Sequence, residues 1–164
     1  DFEGADPCDD GSESHRLSSQ EYSGAGLAEG TAHFYAADAW NDHDDPSTCI
    51  FKYYKSAQGV TNPTIDCETG NTTFPSAFME SKCETPWGGR AVELDWLRAW
   101  WDFHTNTSPS PTPTFTQIME MCNEPANWTS TTAYQELDAA AHSYQNADFE
   151  GRWNSVVSAN GVDH

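Results

Sequence analysis

Two stretches of this chain carry apolar residues at helical spacing. The first follows Ser18, which with Glu21 has the spacing of a capping box, and it predicts one long helix through Trp40. The second, 91–104, predicts another core helix. The first helix is expected to place its apolar surface at Tyr22, Leu27, Phe34, Tyr35, Ala37 and Trp40. The second has Leu94, Leu97 and Trp101 along one side, widened by Trp96, Trp100 and Phe103.

Shorter elements follow from turn and capping signals. The polar break at 41–47 precedes a predicted strand over 49–54. Thr114 is expected to cap a third helix that ends near Pro125, and Thr131 or Thr132 a fourth that reaches about Tyr144. The last predicted helix starts at Asp148 and ends at Asn160-Gly161, a sequence typical of a left-handed cap.

These elements predict one domain over 1–164, mainly α, with long disulfide-braced loops and little β structure. Residues 1–17 are polar and without apolar period, which indicates an irregular leader. Residues 56–89 form a Gly-, Pro-, Thr- and Asn-rich excursion, and 105–114 a stiff Pro/Thr/Ser linker inside the domain.

The charge of the chain narrows its partners. Seven Lys and Arg oppose 26 Asp and Glu, a formal net charge of -19 that disfavours nucleic acid and anionic membrane surfaces. No apolar run long enough to span a membrane is present, and a polar start without a signal peptide predicts that any export signal lies outside these residues. The oligomeric state does not follow from these features.

Five cysteines without CxxC spacing favour disulfides over a structural zinc knuckle, and so predict an extracellular protein. Two bridges among five thiols allow fifteen arrangements. We expect the bridges among Cys49, Cys67 and Cys83, which frame the loop-rich excursion. An odd count leaves one thiol over, and Cys8 is a candidate for pairing with a segment outside this chain.

Acidic side chains offer two further hypotheses. Asp42, His43, Asp44 and Asp45 are the densest set of donor atoms and a candidate calcium site, but they lack the spacing of an EF-hand loop, which favours a solvated turn. Glu93 with Asp95 could supply an acid and a nucleophile, although neighbouring helix positions point apart. The nearby tryptophans could stack on sugar rings, but helical spacing favours core packing.

The segment 27–34, which reads LAEGTAHF, resembles the second metal-binding helix of the gluzincin branch of zinc metallopeptidases. The resemblance implies that Glu29 is the third zinc ligand and that small neighbours, Ala28 and Gly30, let a second helix approach. His33 takes a position at which that family often has an orienting aspartate, so it is expected to support the site by a hydrogen bond to Glu29.

The same family supplies two further ligands from an HExxH motif, and no two of the six histidines here are four positions apart. Zinc would then need ligands from a missing amino-terminal segment. The function expected from the resemblance is a secreted, metallopeptidase-like helical domain that is an incomplete fragment and inactive alone. The alternative is a noncatalytic extracellular binding or structural module, with Glu29 on a solvated helix face.

Overall fold

The computed structural model describes residues 21–42, 44–45, 49–53, 56–57, 60–67, 90–105, 112–123, 133–144 and 146–163. Within these ranges the chain is mainly helical, as predicted. The helices are α1 Ser23–Trp40, α2 Glu93–Thr105, α3 Phe115–Cys122, α4 Ala133–Ser143 and α5 Ala147–Ala159. The strands are β1 Glu21–Tyr22, β2 Ile50–Lys52, β3 Ser56–Ala57, β4 Val60–Thr61, β5 Thr64–Asp66 and β6 Arg90–Ala91.

The strands form three antiparallel pairs, β1 with β6, β2 with β5 and β3 with β4. The β2–β5 pair places Phe51 opposite Ile65. Residues 1–17, most of the predicted 105–114 linker, and Cys8 and Cys83 lie outside the described residues. None of the helices that the structure describes is long and apolar enough to cross a membrane.

The predicted start of the first helix was wrong. Glu21 and Tyr22 pair as a strand with Ala91 and Arg90, so the helix begins only at Ser23. Backbone groups bonded to a neighbouring strand are not available for helical hydrogen bonds, and this pairing partner is far away in sequence. The capping-box pattern predicts helix at Glu21 and Tyr22, but these residues pair with a strand that is distant in sequence. No nearby residue indicates that pairing.

Other helix ends follow the predicted chemistry. Thr114 caps α3 with its hydroxyl accepting from the Gln117 amide at 3.2 Å, while the Gln117 side-chain oxygen accepts from the Thr114 amide at 2.9 Å. Gly161 follows α5 with a φ of 66°, as expected for a left-handed cap. Strand β2 confirms the extended segment predicted after Cys49.

Helix α2 is the centre of the core, and it contacts α1, α3 and α5. It is buried on most of its sides, with Arg98 and Asp102 only partly buried, which explains why apolar residues are predicted on more than one side. Its fully buried side chains are Leu94, Trp96, Leu97, Trp100, Trp101 and Phe103. The rings of Trp100 and Trp153, 5.6 Å apart between centroids, join α2 to α5. The alternative of sugar-stacking tryptophans on α2 is therefore wrong.

Two of the aromatic residues expected on the apolar face of α1 are exposed. Leu27, Phe34 and Ala37 are buried, but Tyr35 is 60% exposed and Trp40 is 87% exposed. Trp40 is the last residue of α1, and the next residue, Asn41, turns the chain by accepting from the amide of Ile50 at 2.9 Å. Trp40 thus lies at the end of α1, where the chain turns, and its side chain is mostly exposed.

A disulfide joins Cys49 to Cys67 and closes the β2–β5 hairpin. This pairing lies within the set of three cysteines expected to form bridges. The Cys67 amide also donates to the Cys49 carbonyl at 3.1 Å. This hydrogen bond continues the β2–β5 ladder to the two half-cystines. Both half-cystines are buried and belong to the main core. The β2–β5 hairpin is thus joined to the main core.

Candidate metal centre

Helices α1 and α2 approach each other closely at Gly30. A Cβ atom at this position would fall under 3.0 Å from the Trp96 Cβ and 2.5 Å from the Glu93 carbonyl oxygen. Farther along, Asp38 on α1 meets His104 on α2 at 3.2 Å, so the two helices run side by side in the same direction. Glycine at position 30 therefore permits a close approach of the two helices.

The close approach brings three potential metal ligands together. Glu29 and His33 are one turn apart on α1, and Glu93 is the first residue of α2. One ligand atom from each lies within 4.8 Å of the other two. His33 and Glu93 are buried, while Glu29 is half-buried. We call these three side chains the triad, and Glu29 is its partly exposed member.

The shortest distance in the triad joins His33 Nε2 to Glu93 Oε2, at 3.2 Å. The expected hydrogen bond from His33 to Glu29 is therefore replaced by one to Glu93. Two ligands that share an ion at bond lengths near 2.1 Å in a tetrahedron lie about 3.4 Å apart. The His33–Glu93 separation is thus compatible either with a hydrogen bond or with two ligands of one metal ion.

The environment of the second carboxylate oxygen of Glu93 favours the binding of a cation. Glu93 is 4% exposed, and its Oε1 has no hydrogen-bond partner among the described residues. A buried carboxylate oxygen without a partner loses its hydration without compensation, a cost of roughly 1–3 kcal/mol or more. A cation bound between Glu93 and Glu29 would remove that cost. The electrostatics of the triad point the same way, because two carboxylates neutralise a divalent ion.

The imidazole of His33 is enclosed by aromatic rings from the β2 segment. Its centroid lies 4.6 Å from that of Phe51 and 5.7 Å from that of Tyr53, and both of these residues are buried. Residues two apart on an extended segment share one face, so both rings approach from the same strand. The disulfide-closed hairpin therefore forms one wall of the triad.

Cys122 is a buried thiol that does not belong to the triad. Its Sγ is 3.9 Å from the Thr31 hydroxyl, and burial raises the pKa of the thiol to about 12. Metal ligation and alkylation both require the thiolate. Cys122 is the free cysteine among those that the structure describes.

We expect Cys122 to resist alkylation in the folded chain. At pH 8 a thiol with a pKa of about 12 is a thiolate in roughly one molecule in ten thousand, and the side chain is 4% exposed. Peptide mapping after iodoacetamide treatment should find Cys122 unmodified in native protein and modified after unfolding in urea. Rapid modification under native conditions would show that the side chain is accessible.

The acidic turn after α1 is exposed at Asp42, Asp44 and Asp45, and His43 lies outside the described residues. The Asp42 Oδ1 accepts from the Asp44 amide at 3.0 Å, as in an Asx turn. This arrangement agrees with the predicted solvated turn, and calcium binding there stays a prediction. Glu93 and Asp95 are both buried at the start of α2.

Glu93 is the residue of the triad that sequence reasoning did not assign to metal. Its signal was present, because Glu93 and Asp95 are acidic residues at the start of a tryptophan-rich helix that is mostly buried. A charged residue in such a helix is expected to be paired or to bind a cation. What the sequence lacks is the register between α1 and α2, which places Glu93 next to Gly30.

Comparison of this chain with protein-family models, with curated proteins and with solved structures finds no match. The gluzincin resemblance accordingly depends on the segment around Glu29 alone.

Proposed function

We propose that this protein is a metal-binding helical domain in which Glu29, His33 and Glu93 hold a divalent transition-metal ion, with zinc the first candidate. The observation that carries the proposal is the triad itself, in which the buried Glu93 Oε1 has no hydrogen-bond partner among the described residues and lies near an imidazole and a second carboxylate. Mixed carboxylate and imidazole ligands suit zinc, manganese and iron, whereas calcium prefers oxygen ligands alone.

The three ligands come from this chain, so a metal ion would not depend on histidines from another segment. Three protein ligands leave a fourth position for water, which is the arrangement of catalytic zinc sites. Glu29 is the most exposed of the three and would define the open side. Metal binding is the function that the geometry supports best, since peptide hydrolysis also requires a general base and a substrate cleft.

We further propose a relationship to the zinc metallopeptidases. We propose Glu29 as a metal ligand, as the resemblance implies, and Gly30 as the residue that permits the helix approach. The difference is that the histidine follows Glu29 on the same helix instead of belonging to HExxH. We propose a secreted protein, for which the disulfide is compatible evidence, and one that needs an HExxH-bearing segment to hydrolyse peptides.

A noncatalytic extracellular module is the second candidate. The observation that favours it is the 3.2 Å contact between His33 Nε2 and Glu93 Oε2, which is also a satisfactory buried ion pair when the imidazole is protonated. In that case the triad has a purely structural role, and addition of metal leaves the stability of the protein unchanged.

Metal titration of the full chain with its disulfide intact distinguishes the metal-binding domain from the noncatalytic module. We expect Zn²⁺ to bind at one site by calorimetry, and to raise the free energy of unfolding by about 2.7 kcal/mol at a hundredfold excess over Kd. Glu93→Gln should weaken binding at least tenfold, because a neutral amide is a poor ligand, and His33→Gln should do the same. Ca²⁺ should not compete at equal concentration.

His142→Gln is the matched control, because His142 is a half-exposed histidine held between Asp138 and Glu150 on α4 and α5. It should bind Zn²⁺ as the wild type does. Equal Zn²⁺ affinity of the wild type and Glu93→Gln would reject the proposed metal centre and favour the noncatalytic module. Zinc-dependent peptide cleavage by the 164 residues alone would instead contradict the need for an HExxH segment.

A further inference from the structure

We infer that the disulfide-closed β2–β5 hairpin is the positioning element of the metal centre, and that Phe51 and Tyr53 act as positioning residues that fix the imidazole of His33. This inference rests on the proposed function and names the part of the fold that controls its metal affinity. Both residues contact the imidazole of His33 through their rings, and it is through this contact that they fix its orientation.

The first step is the packing of the imidazole. The Phe51 ring is tilted by 55° to it and the Tyr53 ring stands at 73°, so the two rings contact it in different orientations. Rotation of the imidazole about its Cβ–Cγ bond would drive a ring edge into one of them, because buried side chains are packed without spare volume. The rings thus hold Nε2 toward Glu93.

The second step is the rigidity of the hairpin that carries these rings. The Tyr53 amide donates to the Pro63 carbonyl at 3.0 Å, and Phe51 pairs with Ile65 across the ladder. The hairpin is closed at one end by the Cys49–Cys67 disulfide. Asn41, just after α1, bonds both backbone groups of Ile50, so the strand is also tied to the helix that carries His33.

The third step is energetic. Metal-bound histidines are usually oriented by a hydrogen bond to the other ring nitrogen, and loss of such an outer partner costs 10- to 100-fold in affinity. Here aromatic packing supplies the orientation. The same rings exclude water from His33, which is 6% exposed, and a drier environment strengthens its bond to a cation.

The test uses Co²⁺, whose visible absorption reports the geometry of its ligands. We expect Phe51→Leu to weaken Co²⁺ binding roughly tenfold and to shift its absorption bands, and Tyr53→Leu to act in the same direction. Phe51→Tyr keeps the ring, so its Co²⁺ affinity should lie within about threefold of the wild-type value. Ile65→Val is the matched control, because it loosens the same hairpin from the opposite strand without removing a ring from His33.

The outcomes separate the inference from the proposed function. If wild type fails to bind Co²⁺ and Zn²⁺, both fall. If wild type binds but Phe51→Leu and Tyr53→Leu keep its affinity and spectrum, only the positioning role is overturned. The same holds if Ile65→Val changes affinity and spectrum as much as Phe51→Leu, because the hairpin would then contribute stability alone. Circular dichroism of each variant verifies that it is folded.

Discussion

Replacing Gly30 with alanine should destabilise this protein by about 1–2 kcal/mol, although alanine is the better helix former. The new Cβ would overlap the Trp96 Cβ and the Glu93 carbonyl. Overpacking of this kind costs about 1–3 kcal/mol and occasionally more, and the gain of about 1 kcal/mol in helix propensity offsets only part of it. The obstructing atoms belong to a helix backbone and a Cβ, which cannot turn aside as the end of a flexible side chain can.

Urea unfolding measures the effect, and Gly151→Ala is its control. Gly151 lies inside α5, is exposed, and has nothing within 4 Å of the position a Cβ would take. That substitution should therefore stabilise the protein by up to about 1 kcal/mol. Opposite signs for the two glycines would establish the close helix approach, whereas a Gly30→Ala variant as stable as Gly151→Ala would refute it.

Gly30→Ala also affects the proposed metal centre. Glu29 and Gly30 are neighbours, and Glu93 provides one of the obstructing atoms, so α1 and α2 can only relieve the overlap by separating. Separation moves the ligands of the triad apart. Zn²⁺ affinity should thus fall with stability in Gly30→Ala and stay unchanged in Gly151→Ala.

The sequence predicts those parts of the fold that depend on local signals. The Thr114 cap, the left-handed Gly161 and the apolar α2 each follow from residue types within a few positions of one another. The start of α1 was missed because the pairing of Glu21 with Ala91 joins residues distant in the chain. Local patterns carry no information about such partners.

The same distinction explains how much of the candidate site could be predicted. Glu29 and its glycine neighbour were identified from a short segment, and His33 was expected beside Glu29 because one helical turn separates them. Glu93 required the relative position of two helices that 52 intervening residues separate in sequence, since α1 ends at Trp40 and α2 begins at Glu93. Its unusual place in an apolar helix indicated a partner without identifying it.

Removing the Cys49–Cys67 disulfide should lower the free energy of unfolding by about 3 kcal/mol. The two cysteines are 18 residues apart, and closing a loop of that length removes this much chain entropy from the unfolded state at 25 °C. The double variant Cys49→Ala/Cys67→Ala, unfolded in urea, measures the loss. Cys122→Ala is the control for losing a buried sulfur atom, and it should cost clearly less because no cross-link is broken.

The disulfide variant connects stability to the proposed site. Its hairpin carries Phe51, whose ring lies against His33, so a frayed hairpin should weaken Zn²⁺ binding as well as the fold. Cys122→Ala should leave Zn²⁺ affinity unchanged, because Cys122 does not belong to the triad. A double variant that is destabilised by about 3 kcal/mol but binds Zn²⁺ with wild-type affinity would show that the cross-link stabilises the chain without ordering the triad.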